Sequence, residues 1–143
     1  MLSGKNYKYV TCDYRYIPRE LLEQVKGVEW TPDQFYKIHE ALSNNPANML
    51  FALIPRNEKE KKILGYLWAQ IDINTGILII NSMSIQKDLW NQGIMTFTEK
   101  FLRKMQREIG LKKIYWLTNR PKAFEKMGYN QSKYSLMCLD KEE

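Results

Sequence analysis

Short apolar runs separated by turn residues predict several strands in the first half of the chain. Residues 8–14, KYVTCDY, alternate β-forming and polar positions, which is typical of a strand. Residues 48–55, NMLFALIP, form an apolar run that ends at a proline and predict a buried strand. Two more strands, residues 63–73 (ILGYLWAQIDI) and 76–85 (GILIINSMSI), are joined by NTG, so we expect them to form a hairpin.

Apolar positions three and four residues apart predict helices between and after these strands. A short helix is expected from Pro18 to Lys26. A second lies in residues 31–45, where Thr31 can cap the helix and Pro32 suits its first position. Its apolar face is predicted to consist of Phe35, Ile38, Ala41 and Leu42.

The second half of the chain predicts a crossover around one long helix. This helix runs from Gly93 to Gly110, with Gly110 as its C-cap. Residues 112–119 follow as a strand, a short helix begins at Asn119 and ends at Gly128, and residues 132–140 form a last strand. We therefore expect one α/β (α+β) domain over residues 1–143. It contains a single mixed, mostly antiparallel sheet with helices on both faces, and the crossover strands are parallel.

Composition narrows the class of protein. The 143 residues are 44% hydrophobic and 27% charged, as in an ordinary soluble domain, and no apolar run reaches membrane-spanning length. The N-terminal residues lack the apolar centre of a signal peptide, which favours the cytoplasm. Cys12 and Cys138 are therefore expected to be free thiols. The single histidine, His39, excludes a His-rich zinc site; we expect no metal, and we place His39 on the surface.

The net charge of +6 divides into +2 over residues 1–62 and +4 over residues 63–143. Much of the positive charge of the second part comes from Lys100, Arg103, Lys104, Arg107, Lys112 and Lys113. Such a basic helix is consistent with nucleic-acid binding, with a solvated helix face, or with attraction of a phosphorylated cofactor. Charge alone does not choose among the three, although the solvated face is the most common outcome.

The stretch LWNQGIMTF, residues 89–97, places Gly93 where a strand gives way to a helix. The first backbone N–H groups of a helix have no intrahelical partner, and the helix dipole adds positive charge there. Glycine lets an anion approach the backbone closely. Gly93 therefore serves either as a turn alone or as part of a phosphate site.

The surroundings of this turn resemble the GNAT acyltransferase family. The family's phosphate-binding motif, Q/R-x-x-G-x-G/A, is similar to residues 90–95, WNQGIM, with the middle glycine kept. A later family motif, N-x-x-A-x-x-F-Y-E-K-x-G-F, is similar to residues 119–129, with two residues missing after Asn119. The resemblance covers roughly residues 49–139.

The resemblance implies acetyl-CoA, or another acyl-CoA, as cofactor. The backbone of Met83 and Ile85 would pair with the pantetheine arm and polarise the thioester carbonyl. Asn119, which can also cap the following helix, and Ser84 are the candidate catalytic residues. The resemblance also implies that Asn119 contacts the cofactor. The other cofactor-binding residues implied are Trp90, Asn91, Gln92, Gly93, Ile94, Met95, Thr96, Phe124 and Lys126.

Three departures from the family pattern keep other functions open. Trp90 replaces the first polar residue of the phosphate motif, Met95 replaces its last small residue, and Phe124 replaces a tyrosine that often acts as general acid. The leading hypothesis is an N-acyltransferase acting on a small-molecule or protein amine. A binding module of the same fold without turnover is the alternative, and nucleic-acid binding is the least favoured. No membrane association is expected, and the sequence permits a homodimer.

Overall fold

A single five-stranded sheet forms the centre of the protein in the computed structural model, which describes residues 2–26, 28–57, 59 and 62–140. Its strands are β1 (Tyr7–Thr11), β2 (Asn48–Pro55), β3 (Gly65–Asp72), β4 (Ile77–Ile85) and β5 (Lys113–Trp116). They lie in this order across the sheet. Neighbours from β1 to β4 are antiparallel, whereas β4 and β5 are parallel. The predicted mixed, mostly antiparallel sheet is confirmed.

Helices cover both faces of this sheet. They are α1 (Arg19–Glu23), α2 (Pro32–Ala41), α3 (Ile94–Ile109) and α4 (Pro121–Lys126). Helices α1 and α2 pack on one face, where Phe35 contacts a cluster that includes Tyr66 and Trp68. Helix α3 packs on the opposite face, where Leu102 joins Leu67. Because β3 side chains alternate between faces, its consecutive residues supply both clusters.

The ends of the two long helices follow the local sequence signals. Thr31 Oγ1 accepts a hydrogen bond from the Gln34 backbone N–H, and Gln34 Oε1 accepts one from the Thr31 N–H, which completes a capping box. Gly110 ends α3 with a φ of 83°, and its N–H donates to the Gln106 carbonyl. Both predicted helix ends are confirmed.

His39 is not on the surface, and its predicted exposure is wrong. It is 2% exposed, whereas Ile38, which was expected to face the core, is 36% exposed. His39 lies four residues after Phe35, so the two side chains share one face of α2. The His39 ring packs 4.3 Å from Phe35 and 4.4 Å from Trp68 between ring centroids.

The predicted last strand is also absent from the described part of the chain, which shows no strand between residues 132 and 140. Tyr134 is 70% exposed and Leu136 is 84% exposed. A strand needs a partner edge as well as a β-forming pattern, and β5 offers an edge of only four residues. The pattern alone therefore did not determine the structure of this segment.

Two further features of the described residues bear on the predicted class of protein. Within them, no helix is both long and apolar enough to cross a bilayer. Cys12 and Cys138 are free thiols, as predicted.

Candidate active site

The two parallel strands separate half-way along β4. Pairing runs from Ile77 opposite Lys113 to Ile80 opposite Trp116. One more hydrogen bond, from the Leu117 N–H to the Ile80 carbonyl at 3.0 Å, closes the paired part. Because β4 continues to Ile85, residues 81–85 have no paired strand on this side in the described part of the chain, and the space between them and the chain that follows β5 is called the gap.

A β-bulge at Asn81 lies where this gap begins. The register between β3 and β4 shifts there, and the Asn81 amide donates to Gln70 Oε1 at 2.9 Å. Before the bulge, Ile80 faces the α3 side; after it, Ser82 faces the α1–α2 side, where its hydroxyl lies 2.6 Å from the Tyr66 hydroxyl. A bulge bends its strand and increases the local twist, which accounts for the divergence of β4 from β5.

The backbone of Met83 and Ile85 points into the gap. The Gln86 N–H, just after β4, donates to the carbonyl of Leu64, the residue just before β3, at 2.8 Å. In an antiparallel pair, alternate residues direct their N–H and C=O groups toward the partner strand. Met83 and Ile85 are the intervening residues, so their polar groups face away from β3. This is the orientation that the predicted pantetheine contacts require.

The carbonyl of Ile85 is already occupied by two side-chain donors. Trp90 Nε1 donates to it at 3.0 Å and Gln24 Nε2 at 2.9 Å. The same Gln24 amide also lies 2.8 Å from Ser84 Oγ. Ser84, a predicted catalytic residue, therefore faces the α1–α2 side of the sheet and not the gap. Trp90 folds back over the end of β4 and remains 49% exposed.

The turn before α3 presents unpaired backbone donors beside the gap. Gly93 has φ 78° and ψ 31°, and Asn91 also has a positive φ of 63°. The first α-helical hydrogen bond is made by the Phe97 N–H to the Gly93 carbonyl at 3.0 Å. The N–H groups with no partner inside the helix are those of Ile94, Met95 and Thr96. No acidic residue occupies the first turn, so nothing there offsets the positive end of the helix dipole.

Three other residues predicted to bind the cofactor, Gln92, Phe124 and Lys126, do not share one environment. The Gln92 side chain donates to the Asp88 carbonyl at 3.1 Å. Phe124 packs against Trp116, with ring centroids 5.3 Å apart, and Lys126 is exposed.

Asn119 does not cap α4, which corrects that alternative. The N-cap of α4 is Arg120, and it makes no side-chain capping bond. Its N–H donates instead to Thr118 Oγ1 at 2.9 Å. Asn119 follows β5 with its side chain exposed, which leaves it free for another role.

Two residues of this region were missed by sequence reasoning. Asn81 interrupts an apolar strand run, and that break in pattern was the available signal for a bulge. Gln24 gave no signal, because its contacts join positions 60 and 61 residues apart.

We expect Gly65→Ala to disturb the end of β4. Gly65 lies opposite Ile85, and a Cβ at this position would lie 2.7 Å from the Ser84 carbonyl oxygen. A backbone atom cannot move aside cheaply, so the free energy of unfolding should fall by about 2 kcal/mol in urea titrations. Gly4→Ala is the control, because its Cβ would meet nothing within 4 Å. Equal stability of the two variants would contradict the tight approach of β3 and β4.

The sheet, its splayed parallel strands and the glycine turn define an acyl-CoA N-acyltransferase-like fold. The acetyltransferase (GNAT) family pattern matches residues 15–129, and the chain belongs to this family. No curated protein sequence matches the chain.

Solved structures share this fold at low sequence identity. A possible acetyltransferase from Clostridium difficile has a TM-score of 0.72 at 12% identity, over 96% of this chain and 99% of that one. An aminoglycoside N-acetyltransferase in complex with CoA has a TM-score of 0.66 at 11% identity, over 98% of both chains. The ribosomal-protein-S18-alanine N-acetyltransferase from Escherichia coli has a TM-score of 0.65 at 13% identity, over 89% of this chain and 79% of that one.

Proposed function

We propose that the protein transfers an acetyl group, or another acyl group, from CoA to an amine in the cytoplasm. The observation that carries the proposal is the juxtaposition of the Gly93 turn with the gap beside β4. Backbone donors at the turn suit a pyrophosphate, and the gap suits an extended arm. Family membership and the CoA complex of a structural neighbour support this choice of cofactor.

The proposed binding mode places each part of the cofactor against a described element. The pyrophosphate contacts the N–H groups of Ile94, Met95 and Thr96. The pantetheine arm pairs with β4 inside the gap. Because the Ile85 carbonyl already accepts two hydrogen bonds, the arm is expected to use the carbonyl of Met83 and the N–H groups of Met83 and Ile85.

Transfer then takes place in a complex of protein, acyl-CoA and amine. The amine nitrogen attacks the thioester carbonyl carbon, and a backbone N–H stabilises the negative charge that develops on the carbonyl oxygen. The C–S bond breaks and CoA leaves as the thiolate; the nitrogen loses a proton to water, and the thiolate takes up a proton from water to become the thiol. Phe124 cannot donate a proton, so positioning contributes more here than general acid catalysis.

The acceptor is proposed to be a small-molecule or protein amine. Two structural neighbours act on such groups, an aminoglycoside and a ribosomal-protein alanine. Ser84 and the helices α1 and α2 lie on one side of the sheet at the end of β4, and this is the side proposed to receive the acceptor.

A binding module without turnover is the second candidate. The position of Trp90 favours it, because the indole that lies over the end of β4 narrows the approach to the gap. Such a module would bind CoA and release no thiol with any amine.

Titration with acetyl-CoA is the decisive experiment for the cofactor. We expect saturable micromolar binding by calorimetry, together with a change in Trp90 fluorescence that is lost in Trp90→Phe. Acetyl-pantetheine, which has the thioester arm but no pyrophosphate, should bind far more weakly. Binding would justify an amine screen that measures thiol release. No binding at millimolar acetyl-CoA would refute the proposal.

A further inference from the structure

The Gln24 side chain connects the helical face of the protein to the strand that would carry the acyl group. Gln24 is the C-cap residue of α1, and its side chain is partly buried. Its amide nitrogen lies 2.9 Å from the Ile85 carbonyl oxygen and 2.8 Å from Ser84 Oγ. Ser84 and Ile85 are both buried, at 9% and 6% exposure, so water competes little for these bonds.

The Ile85 carbonyl is therefore held from two directions. Gln24 reaches it from the chain that follows α1, and Trp90 reaches it from the turn that precedes α3. Two donors on one carbonyl fix the orientation of the last peptide group of β4. The N–H of the same peptide group belongs to Gln86, and it donates to the carbonyl of Leu64, the residue just before β3.

Helix α1 is itself firmly attached to the sheet. Leu21 and Leu22 are each 2% exposed and belong to the cluster that contains Tyr66. A displacement of α1 would consequently be transmitted to Ile85 through Gln24, only two residues beyond Leu22.

We propose that Gln24 is a positioning residue, which aligns the end of β4 with the amine acceptor through its hydrogen bond to the Ile85 carbonyl. This inference rests on the proposed function. Gln24 touches neither reacting group; it acts through the strand that would hold the thioester. Transfer rates are sensitive to misplacement, since an error of about 1 Å can cost about 100-fold.

The test compares Gln24→Ala and Gln24→Glu with wild type. Ionised glutamate keeps the length of the side chain but has no donor for a carbonyl. Both variants should accelerate hydrogen exchange of the Ser84 and Gln86 amides, which face β3, by roughly 10-fold or more. Acetyl-CoA affinity should change by less than about 5-fold, because the turn at Gly93 is untouched. With an amine found in the screen, kcat should fall about 30- to 100-fold.

A second glutamine provides the matched control. The Gln106 side chain donates to the Lys112 carbonyl at 3.4 Å, at the C-terminal end of α3. Gln106→Ala should leave exchange of the Ser84 and Gln86 amides, acetyl-CoA affinity and kcat unchanged.

The outcomes separate this inference from the proposed function. Unchanged exchange of the Ser84 and Gln86 amides, or wild-type kcat in Gln24→Glu, would overturn the positioning role. If wild-type protein binds no acetyl-CoA, the proposed function fails, and the exchange measurement on the free protein still decides whether Gln24 fixes the end of β4.

Discussion

Replacement of Gly93 by aspartate is expected to lower acetyl-CoA affinity by at least about 100-fold, or about 2.7 kcal/mol. The new carboxylate would stand where the N–H groups of Ile94, Met95 and Thr96 converge and would repel the pyrophosphate at close range. The fold should survive, because Gly93 is in the left-handed region, φ 78°, and aspartate adopts this region at a cost of about 1 to 2 kcal/mol. Calorimetric titration and urea unfolding measure the two effects separately.

The other end of α3 provides a control with almost the same backbone geometry. Gly110 has φ 83° and ψ 33°, against φ 78° and ψ 31° at Gly93. A Cβ on Gly110 would meet nothing within 4 Å, so Gly110→Asp should carry a similar conformational cost. It should leave acetyl-CoA affinity unchanged, because it stands at the negative end of the helix dipole and far along the helix from the gap.

A third variant separates charge from shape. Asparagine has nearly the size of aspartate, tolerates a positive φ, and carries no charge. Gly93→Asn is therefore expected to weaken acetyl-CoA binding by less than about 10-fold, well short of the aspartate effect. If Gly93→Asp bound acetyl-CoA as tightly as wild type, this turn would not be the phosphate site.

Features that depend on neighbouring residues were predictable from the sequence. The capping box at Thr31, the C-cap at Gly110 and the apolar runs of β2 and β4 all reflect contacts within a few positions. The turn at Gly93 belongs to this group as well, since glycine adopts a positive φ readily and the backbone of Gly93 is left-handed.

Features that depend on distant parts of the chain were not predictable in the same way. His39 is buried because Trp68 on β3 and Tyr14 lie against it, and helical spacing alone could not choose between His39 and Ile38. The link from Gln24 to Ile85 exists only once α1 has packed on the sheet. The candidate site combines both kinds: its turn is local, whereas the gap beside it depends on a bulge and on tertiary contacts.

His39 has surroundings that oppose its protonation. Trp68 Nε1 donates to Asn48 Oδ1 at 2.7 Å, which directs the Asn48 amide nitrogen toward His39 Nδ1 at 3.2 Å. Nδ1 therefore accepts a hydrogen bond, and the proton of the neutral ring lies on Nε2. The groups around the ring, including Phe35 and Tyr14, carry no negative charge that would favour a cation. Burial lowers the pKa of His39 to about 4.

Because the pKa of His39 is lower in the folded protein than in the unfolded chain, the free energy of unfolding depends on pH between these two pKa values. In the unfolded chain His39 has its ordinary pKa of 6.5, so as the pH falls the unfolded state takes up the proton first. The contribution of His39 is complete above pH 6.5 and is lost progressively toward pH 4. At 1.36 kcal/mol per pKa unit, the loss should reach about 3 kcal/mol.

Urea unfolding of wild type and His39→Gln at pH 7 and pH 4 isolates this effect. Glutamine retains an oxygen that can accept from the Asn48 amide but does not titrate. Exposed carboxylates contribute equally to both proteins, so the difference between their two pH dependences belongs to His39. We expect wild type to lose about 3 kcal/mol more than the variant on acidification. If both proteins lost the same free energy of unfolding, His39 would be protonated at pH 4 in the folded protein as well as in the unfolded one. The packing of the ring against Phe35 and Trp68 would then have to rearrange to admit water.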